Sequence, residues 1–344
     1  MYIYVLNKEL KRIGLIDNYV SIIWTTRYYE AGDFELYVPI TDEFIDLLQM
    51  GYYLQTNNSD RTMIIETIKL DTDTENGNYM TVSGRSIESL LERRILNRRQ
   101  SINTDLNTWL TNAVKYNFVS TDSDRIIDII DVATNDVGSS IDIQAQYLGE
   151  NIYEIIVENC KTYNLGFKMP FVNGKFVFTL YEGKDRTLSQ KVNEPAIFSP
   201  NFENLVNTSY SYSSTNIKNA ATIAGEGEGS DRKVLSIGTA SGLDRYEIFV
   251  DARDVSSKVD DTTLTDAQYN AQLRNRGREK LAEYSNIQEF VGEVTNYPEY
   301  CELGDIVQVK NEFGMTATTR ITEIIESDST SGYTKIPTFD EWRI

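Results

Sequence analysis

The groups in this chain with the most chemistry to offer are its acids, and the company they keep limits what they can do. Asp and Glu number 52 against 33 Lys and Arg, a formal net charge of −19, and histidine is absent. Without imidazole there is no Ser-His-Asp or Cys-His nucleophile, no histidine metal ligand and no side chain that titrates near neutrality unaided. Paired carboxylates of the glycosidase kind remain open to so acidic a chain. They require one raised-pKa acid at a set distance from an ionised partner, and no local pattern marks such a pair. Cys160 and Cys301 make neither a disulfide framework nor a zinc site and are expected as reduced thiols, consistent with assembly in a cytoplasm.

Four further motifs yield to plainer readings. The run Gly225-Glu-Gly-Glu-Gly-Ser230 alternates like a phosphate loop, but it carries two glutamates and no following Gly-Lys-Ser/Thr, so it reads as a flexible surface loop. Asp71-Thr-Asp73-Thr-Glu75-Asn76-Gly77 begins like a calcium loop. The sixth and twelfth positions hold Asn76 and Val82, and Asn-Gly between two strand patterns is a hairpin turn. Arg93-Arg94 and Arg98-Arg99 follow a predicted helix, where cations favour the C-terminal dipole. The 22 tyrosines, Tyr28-Tyr29 and Tyr52-Tyr53 among them, suit strands and interfaces as well as a sugar-stacking surface. The expectation is no catalytic residue, no metal and no cofactor. A net charge of −19 also speaks against a nucleic-acid groove.

The elements that carry these residues are mostly strands. A length of 344 residues predicts two or three domains. No apolar run approaches the ~20 residues of a membrane span, and Met1–Glu9 reads as a first strand with no leader pattern. Strand patterns fill residues 1–100, with one short helix opened by Thr41-Asp42-Glu43 and closed by Gly51. Helical spacing at Leu106–Val114 and Ile152–Tyr163, with a hairpin turning at Asn173-Gly174, marks an α+β block over 101–200. Strands return over 201–344, interrupted near 252–286 by a helix whose capping box is Thr265-Asp-Ala-Gln268. The predicted class is α+β, mostly β, with two similar β-barrel or sandwich domains flanking an α+β domain.

The similarity of the two β-domains rests on an internal repeat. Gly51-Tyr-Tyr-Leu-Gln-Thr, turn, Met63-Ile-Ile-Glu-Thr-Ile-Lys-Leu-Asp71 matches Gly304-Asp-Ile-Val-Gln-Val, turn, Arg320-Ile-Thr-Glu-Ile-Ile-Glu-Ser-Asp328. This pairs Ile64 with Ile321 and Glu66 with Glu323, and a glycine turn follows each copy at Gly77 and Gly332. Gly51, Gly77, Gly304 and Asp305 are then structural turn residues. Two like domains per chain let a closed trimer present six similar units, a pseudo-sixfold ring. Glu66 and Glu323 either lie on a solvated strand face or line a channel whose acidity keeps a polyanion from sticking.

These same segments resemble a known family. Trp24-Thr-Thr-Arg-Tyr-Tyr-Glu-Ala-Gly-Asp-Phe34, Ser83-Gly-Arg-Ser-Ile-Glu-Ser-Leu-Leu-Glu-Arg-Arg94, Gln272-Leu-Arg-Asn-Arg-Gly-Arg-Glu-Lys-Leu281 and Leu303-Gly-Asp-Ile-Val307 are similar to Gp37-like siphovirus hub proteins and related tail-hub proteins. Pro298-Glu-Tyr-Cys-Glu302 departs from the more acidic lead-in of that family. The resemblance implies a homotrimeric ring at the end of a tail tube. Its two tube-like domains build the ring and line the channel, and the third decorates it. The implied partners are a tail-tube or distal tail ring protein and a tail-tip or spike protein, with DNA only in passing and no membrane insertion. The implied place is a virion or tail-like particle, and the chain's ending at Ile344 is expected to leave the hub without an attached enzyme. The rival expectations are a carbohydrate-binding host-surface adhesin and an acid-pair cell-wall hydrolase.

Overall fold

The computed structural model describes residues 1–340 except 76, 214, 260–261 and 285–286. Asn76 of the predicted turn and the end of the predicted C-terminal strand therefore lie outside the described residues. The fold is α+β and mostly β.

Alternation builds the strands. In Asp33–Pro39 the side chains of Phe34, Leu36 and Val38 are buried while Asp33, Glu35 and Tyr37 point outward. Eleven such strands make one mixed sheet. It runs through Arg12–Ile16, Ile3–Leu6, Tyr53–Thr56, Thr62–Asp73, Gly77–Ser86, Asp33–Pro39 and Ser21–Arg27. It then passes from the N-terminal part of the chain to the C-terminal part, into Thr316–Ser329, Ile306–Lys310 and Ile197–Phe198, with Gly332–Phe339 also paired to Thr316–Ser329. The joint is antiparallel, from Glu323 opposite Arg27 to Ser329 opposite Ser21.

Four apolar cores hang on this frame. The first sits under the N-terminal strands around Ile22, Trp24, Phe34 and Leu36, covered by α1 (Asp42–Leu47), whose N-cap Thr41 accepts the Phe44 N–H at 3.1 Å. The second packs α2 (Leu106–Val114) and α3 (Ile152–Tyr163) on Lys175–Tyr181 through Trp109, Ile155, Ile156, Cys160 and Phe176. The Asn173–Gly174 turn takes two left-handed residues, φ 51° and 81°, as the pairing of Val172 with Lys175 requires. The third lies between Phe198, Val307, Val309 and Ile321. The fourth belongs to α4 (Asp266–Ala282), opened by the Thr265–Gln268 capping box, on a three-stranded sheet that includes Ala220–Ala224. The glycine-rich loop before it is tied down at its start: the Glu226 N–H donates to the Tyr269 hydroxyl at 2.8 Å, and a Cβ on Gly225 would meet that oxygen at 2.3 Å.

Candidate functional site

The two repeated segments fold alike. In each, a short strand, a turn, a long strand and a returning strand follow a left-handed glycine, Gly51 at φ 78° and Gly304 at φ 95°. Glycine adopts that conformation without the Cβ clash that penalises other residues. Gly51 N–H donates to Ile65 O at 2.8 Å, and Gly304 N–H donates to Ile321 O at 2.8 Å. The reverse bonds, Ile65 N–H to Tyr52 O and Ile321 N–H to Asp305 O, are both 2.9 Å. A β-bulge follows at once in each long strand, at Glu66 and at Thr322. These bonds correct the sequence alignment by one residue: Ile65, not Ile64, corresponds to Ile321. Glu66 therefore falls on Thr322, and Glu323 falls on Thr67. Ile64 and Ile65 are adjacent isoleucines ahead of Glu66, so the sequence pattern accepts either of them opposite Ile321, and the hydrogen bonds choose between them.

Glu66 and Glu323 nonetheless come out on one surface, the face of the continuous sheet turned away from the core. Arg85 grips Glu66 with Nε and Nη2 at 2.9 and 3.0 Å and reaches Glu92 at 2.8 Å. Arg27 reaches Glu323 at 2.7 Å and Asp33 at 2.6 Å. The hydrogen bond to Glu66, with that to Glu92, holds the Arg85 guanidinium above its ordinary range against some desolvation. Both acids are partly exposed, and each arginine is shared between two acids, so these clusters remain net acidic.

Of the turn residues, Gly304 and Asp305 are internal, Gly51 is half-buried and Gly77 is exposed. Asp305 is buried, takes the Arg186 guanidinium, and accepts the backbone N–H groups of Lys184 and Glu302 at 2.8 and 3.0 Å. It thereby pins the loop after Lys175–Tyr181 to the last sheet strands. A Cβ on Gly304 would meet the Tyr28 ring at 2.3 Å. Gly77, at φ 93°, opens its returning strand. Tyr28 and Tyr53 are buried packing groups, while their neighbours Tyr29 and Tyr52 are partly exposed. Of the basic cluster, Arg93 ends a short 3-10 helix, while Arg98 and Arg99 lie exposed beyond it.

Sequence reasoning passed over three acids that matter more. Glu88 is buried in a salt bridge to Arg61 at 2.5 Å and accepts the Met169 N–H at 2.8 Å, while Arg61 also donates to Phe167 O and the Tyr181 hydroxyl. Its signal was an acid between Ile87 and Leu90-Leu91, inside an apolar run. Glu279 lies where α4 docks on the middle core. It accepts from the Tyr147 hydroxyl at 2.9 Å and from Asn275 at 2.8 Å, and burial pushes its carboxyl up to about 7. Beside it is a cavity of about 490 Å³ lined in part by Glu158, Arg276 and Lys280. Burial raises Glu158 as well, and Glu150, Glu283 and Asp340 also line this cavity.

A family model described as "Siphovirus ReqiPepy6 Gp37-like protein" matches residues 2–339. No curated protein matches the chain. Among solved structures, the tail protein from Neisseria meningitidis MC58 is 13% identical with a TM-score of 0.59, covering 98% of this chain and 96% of its own. The 43 kDa tail protein of prophage MuSo2 from Shewanella oneidensis is 16% identical with a TM-score of 0.59, over 99% and 98%. Prophage tail protein gp18 from Listeria monocytogenes EGD-e is 12% identical with a TM-score of 0.57, over 100% and 96%. At these identities the likeness is one of fold.

Proposed function

Because the chain belongs to the Siphovirus ReqiPepy6 Gp37-like protein family, and folds like three phage tail proteins over their whole length, we propose that it is a structural subunit of a phage or phage-like tail. In this reading three copies close a pseudo-sixfold ring at the tail tip. Residues 1–100 and 201–344 are its two tube-like units, the α4 region is an insertion in the second, and 101–200 decorates the outside. The ring joins the tube or distal tail ring protein above to the tip or spike protein below. The continuous sheet face carrying Glu66 and Glu323 lines the passage, and its acids keep DNA moving through it. The protein works by shape and symmetry, without catalysis.

One observation carries this reading. Two hairpins of like plan, far apart in sequence, belong to one sheet with the ribbon of Ser21–Arg27 and Asp33–Pro39 between them, and a unit repeated within one chain is what a pseudo-sixfold ring of three copies requires. The test is mass by light scattering across a concentration range, with and without the tube protein. A trimer, or a ring formed with that neighbour, is the expected result. A monomer under every condition overturns it.

A further inference from the structure

The helix dipole accounts for little of the basic cluster. Arg93 closes the 3-10 helix Ile87–Arg93, but Arg94 is extended, and Arg98 and Arg99 are exposed residues just before Gln100–Asp105. A fifth arginine joins them from distant sequence. Arg94 donates through Nε to Arg125 O at 3.1 Å, and Arg125 donates through Nη2 to Ile95 O at 2.9 Å and to Asn117 Oδ1 at 2.8 Å. Asn117 is buried and donates its amide to Ala113 O at 2.8 Å, which fixes the oxygen that Arg125 uses.

What these arginines lack is acid. Elsewhere the chain seats arginines beside carboxylates, as at Arg27, Arg61, Arg85, Arg186 and Arg276. Among the described residues no carboxylate pairs with Arg93, Arg94, Arg98, Arg99 or Arg125. Glu92 is taken by Arg85 at 2.8 Å, and Glu226, near enough to feel the charge of Arg99, accepts the Ser257 N–H at 2.8 Å. Asp122 and Asp124, exposed in the loop before Arg125, pair with none of the five. On a chain of net charge −19, five guanidiniums without a counter-charge are a local excess of positive charge.

Apolar groups share the spot. Ile95 is 47% exposed between the two arginine pairs, and Tyr116 is 53% exposed next to Asn117. Leu148 is 52% exposed, one residue before the Gly149 N–H that donates to Leu96 O at 2.8 Å. The arginines form a row and not a cage: at ~3.3 Å per residue, Arg94 and Arg98 stand up to about 13 Å apart along the chain. A row suits a polymer with repeated anionic groups better than a single ion.

We propose that this row binds a phosphate-linked glycan of a cell envelope. Guanidinium forks take the free oxygens of successive phosphodiesters in paired hydrogen bonds, and the exposed apolar groups meet the C–H faces of the sugars between them. Arg94 and Arg125 are held in place, whereas Arg98 and Arg99 make no side-chain hydrogen bond among the described residues and can follow a flexible chain. Fixing those two in a packed protein interface would cost side-chain entropy. A nucleic-acid strand calls for successive rings on which bases stack, and the apolar groups here are mainly aliphatic. All the residues of the site lie between 93 and 148, so a monomer should bind as well per chain as any assembly, and failure of the ring leaves the site untouched.

Biolayer interferometry of the full chain on immobilised poly(N-acetylglucosamine 1-phosphate) tests it. Dextran is the uncharged control, and polyglutamate and single-stranded DNA are matched in charge. The phosphoglycan should bind more tightly than each of the others and weaken about tenfold or more between 50 and 200 mM salt, as release of several counterions requires. Combined Arg98→Gln and Arg99→Gln should weaken it on the order of tenfold by the same rule, with an unchanged urea midpoint because both side chains are exposed and unbonded. Combined Arg274→Gln and Arg278→Gln, which removes the same charge from exposed positions on α4, should leave binding as it was. Absent binding, or an equal loss in the α4 variant, overturns the site. Equal or tighter binding of polyglutamate or of DNA also overturns it and makes the row a surface for an acidic protein or for nucleic acid.

Discussion

The first and last hairpins of this protein share a backbone plan and differ in what surrounds it. Both start from a left-handed glycine that donates to an isoleucine carbonyl, and both carry a bulge immediately after that isoleucine. The turn of the first is anchored, because Arg61 within it is buried against Glu88 of the 3-10 helix Ile87–Arg93. The turn of the last projects, with Phe313 89% exposed. The edge of the last is filled from within the chain, and there a glutamate is buried: Glu326 accepts the Tyr333 hydroxyl at 2.6 Å, with Lys335 at 3.7 Å. Among the described residues no strand covers the edge of the first beyond Ile64, and there a leucine is exposed. Burial along these strands follows from neighbours supplied by distant sequence, not from the repeated segment itself.

The largest expected effect separates the two turns. Glu88→Ala leaves the buried Arg61 guanidinium without its counter-charge and should cost about 3–5 kcal/mol, the usual loss when one member of a buried pair is removed. Phe313→Ser in the opposite turn should stay within about 0.5 kcal/mol of wild type, since it touches little. Urea denaturation midpoints at constant slope measure both. Similar losses at the two positions would mean that the projecting turn is also anchored.

That contrast marks where the sequence was legible. The class, the Asn173–Gly174 hairpin, the Thr265 capping box and the helices α2 and α3 were readable because each is a local signal: a turn dipeptide, a cap, an apolar stripe. The family was readable from short runs such as Leu303-Gly-Asp-Ile-Val307. The pairing of Glu66 with Glu323 was off by one because the Ile64-Ile65 doublet fits Ile321 in either register, and only the backbone hydrogen bonds distinguish the two. The joint of Thr316–Ser329 with Ser21–Arg27 was invisible, since strand partners some 300 residues apart leave no mark on either segment. Glu279 was hidden for a related reason: on α4 it reads as a solvent-facing helical acid, and only the docked Tyr147 makes it internal.

Glu279 sharpens the comparison at the ribbons. The ribbon of Ser21–Arg27 and Asp33–Pro39 turns through residues 28–32, whereas the ribbon of Leu205–Ser213 and Ile287–Val294 carries the whole α4 unit in the same place. That unit docks on the middle core through side-chain hydrogen bonds, Gln146 to Gln272 at 3.0 Å and Tyr163 to Asn275 at 3.0 Å, beside the Tyr147–Glu279 bond. A carboxyl raised from 4.5 to about 7 on docking favours the docked state when protonated. That contribution is full below about pH 4.5 and is lost as pH rises through 7. Hydrogen exchange, corrected for its intrinsic rate, should therefore show α4 losing protection between pH 5.5 and 7.5, on the order of twentyfold by that linkage. Glu279→Gln should flatten the profile, and Ala220–Ala224 within the unit should not follow it. A profile unchanged by Glu279→Gln would place the titration elsewhere.

The two glycines separate the hairpins in the same way as the two turns. Gly304→Ala forces a left-handed alanine, about 1–2 kcal/mol, and drives its Cβ to 2.3 Å from the ring of buried Tyr28, for a total of roughly 3 kcal/mol. Gly51→Ala pays the same backbone cost but meets only the flexible end of Lys8 at 3.3 Å, so about 1 kcal/mol is expected. Equal losses would show that Tyr28 yields, and with it the joint where Tyr28 N–H donates to Thr322 O.

The smallest effects are expected at the acids the sequence singled out. Glu66 and Glu323 are partly exposed, and each arginine keeps a second acid when its first is removed, Glu92 for Arg85 and Asp33 for Arg27. Glu66→Ala and Glu323→Ala should each cost about 0–1 kcal/mol, as exposed pairs do. Glu323→Ala should be the larger, because Glu323 also accepts from Thr338 at 3.1 Å and ties the last hairpin to the first ribbon. Both losses should shrink in about 1 M salt, where the screening length is near 3 Å. A salt-insensitive loss above about 2 kcal/mol at either position would mean that the face is already desolvated in solution. Glu66→Ala and Glu323→Ala measured across protein concentration would then separate a covering supplied by other copies, where the loss varies with concentration, from one supplied within the chain, where it does not.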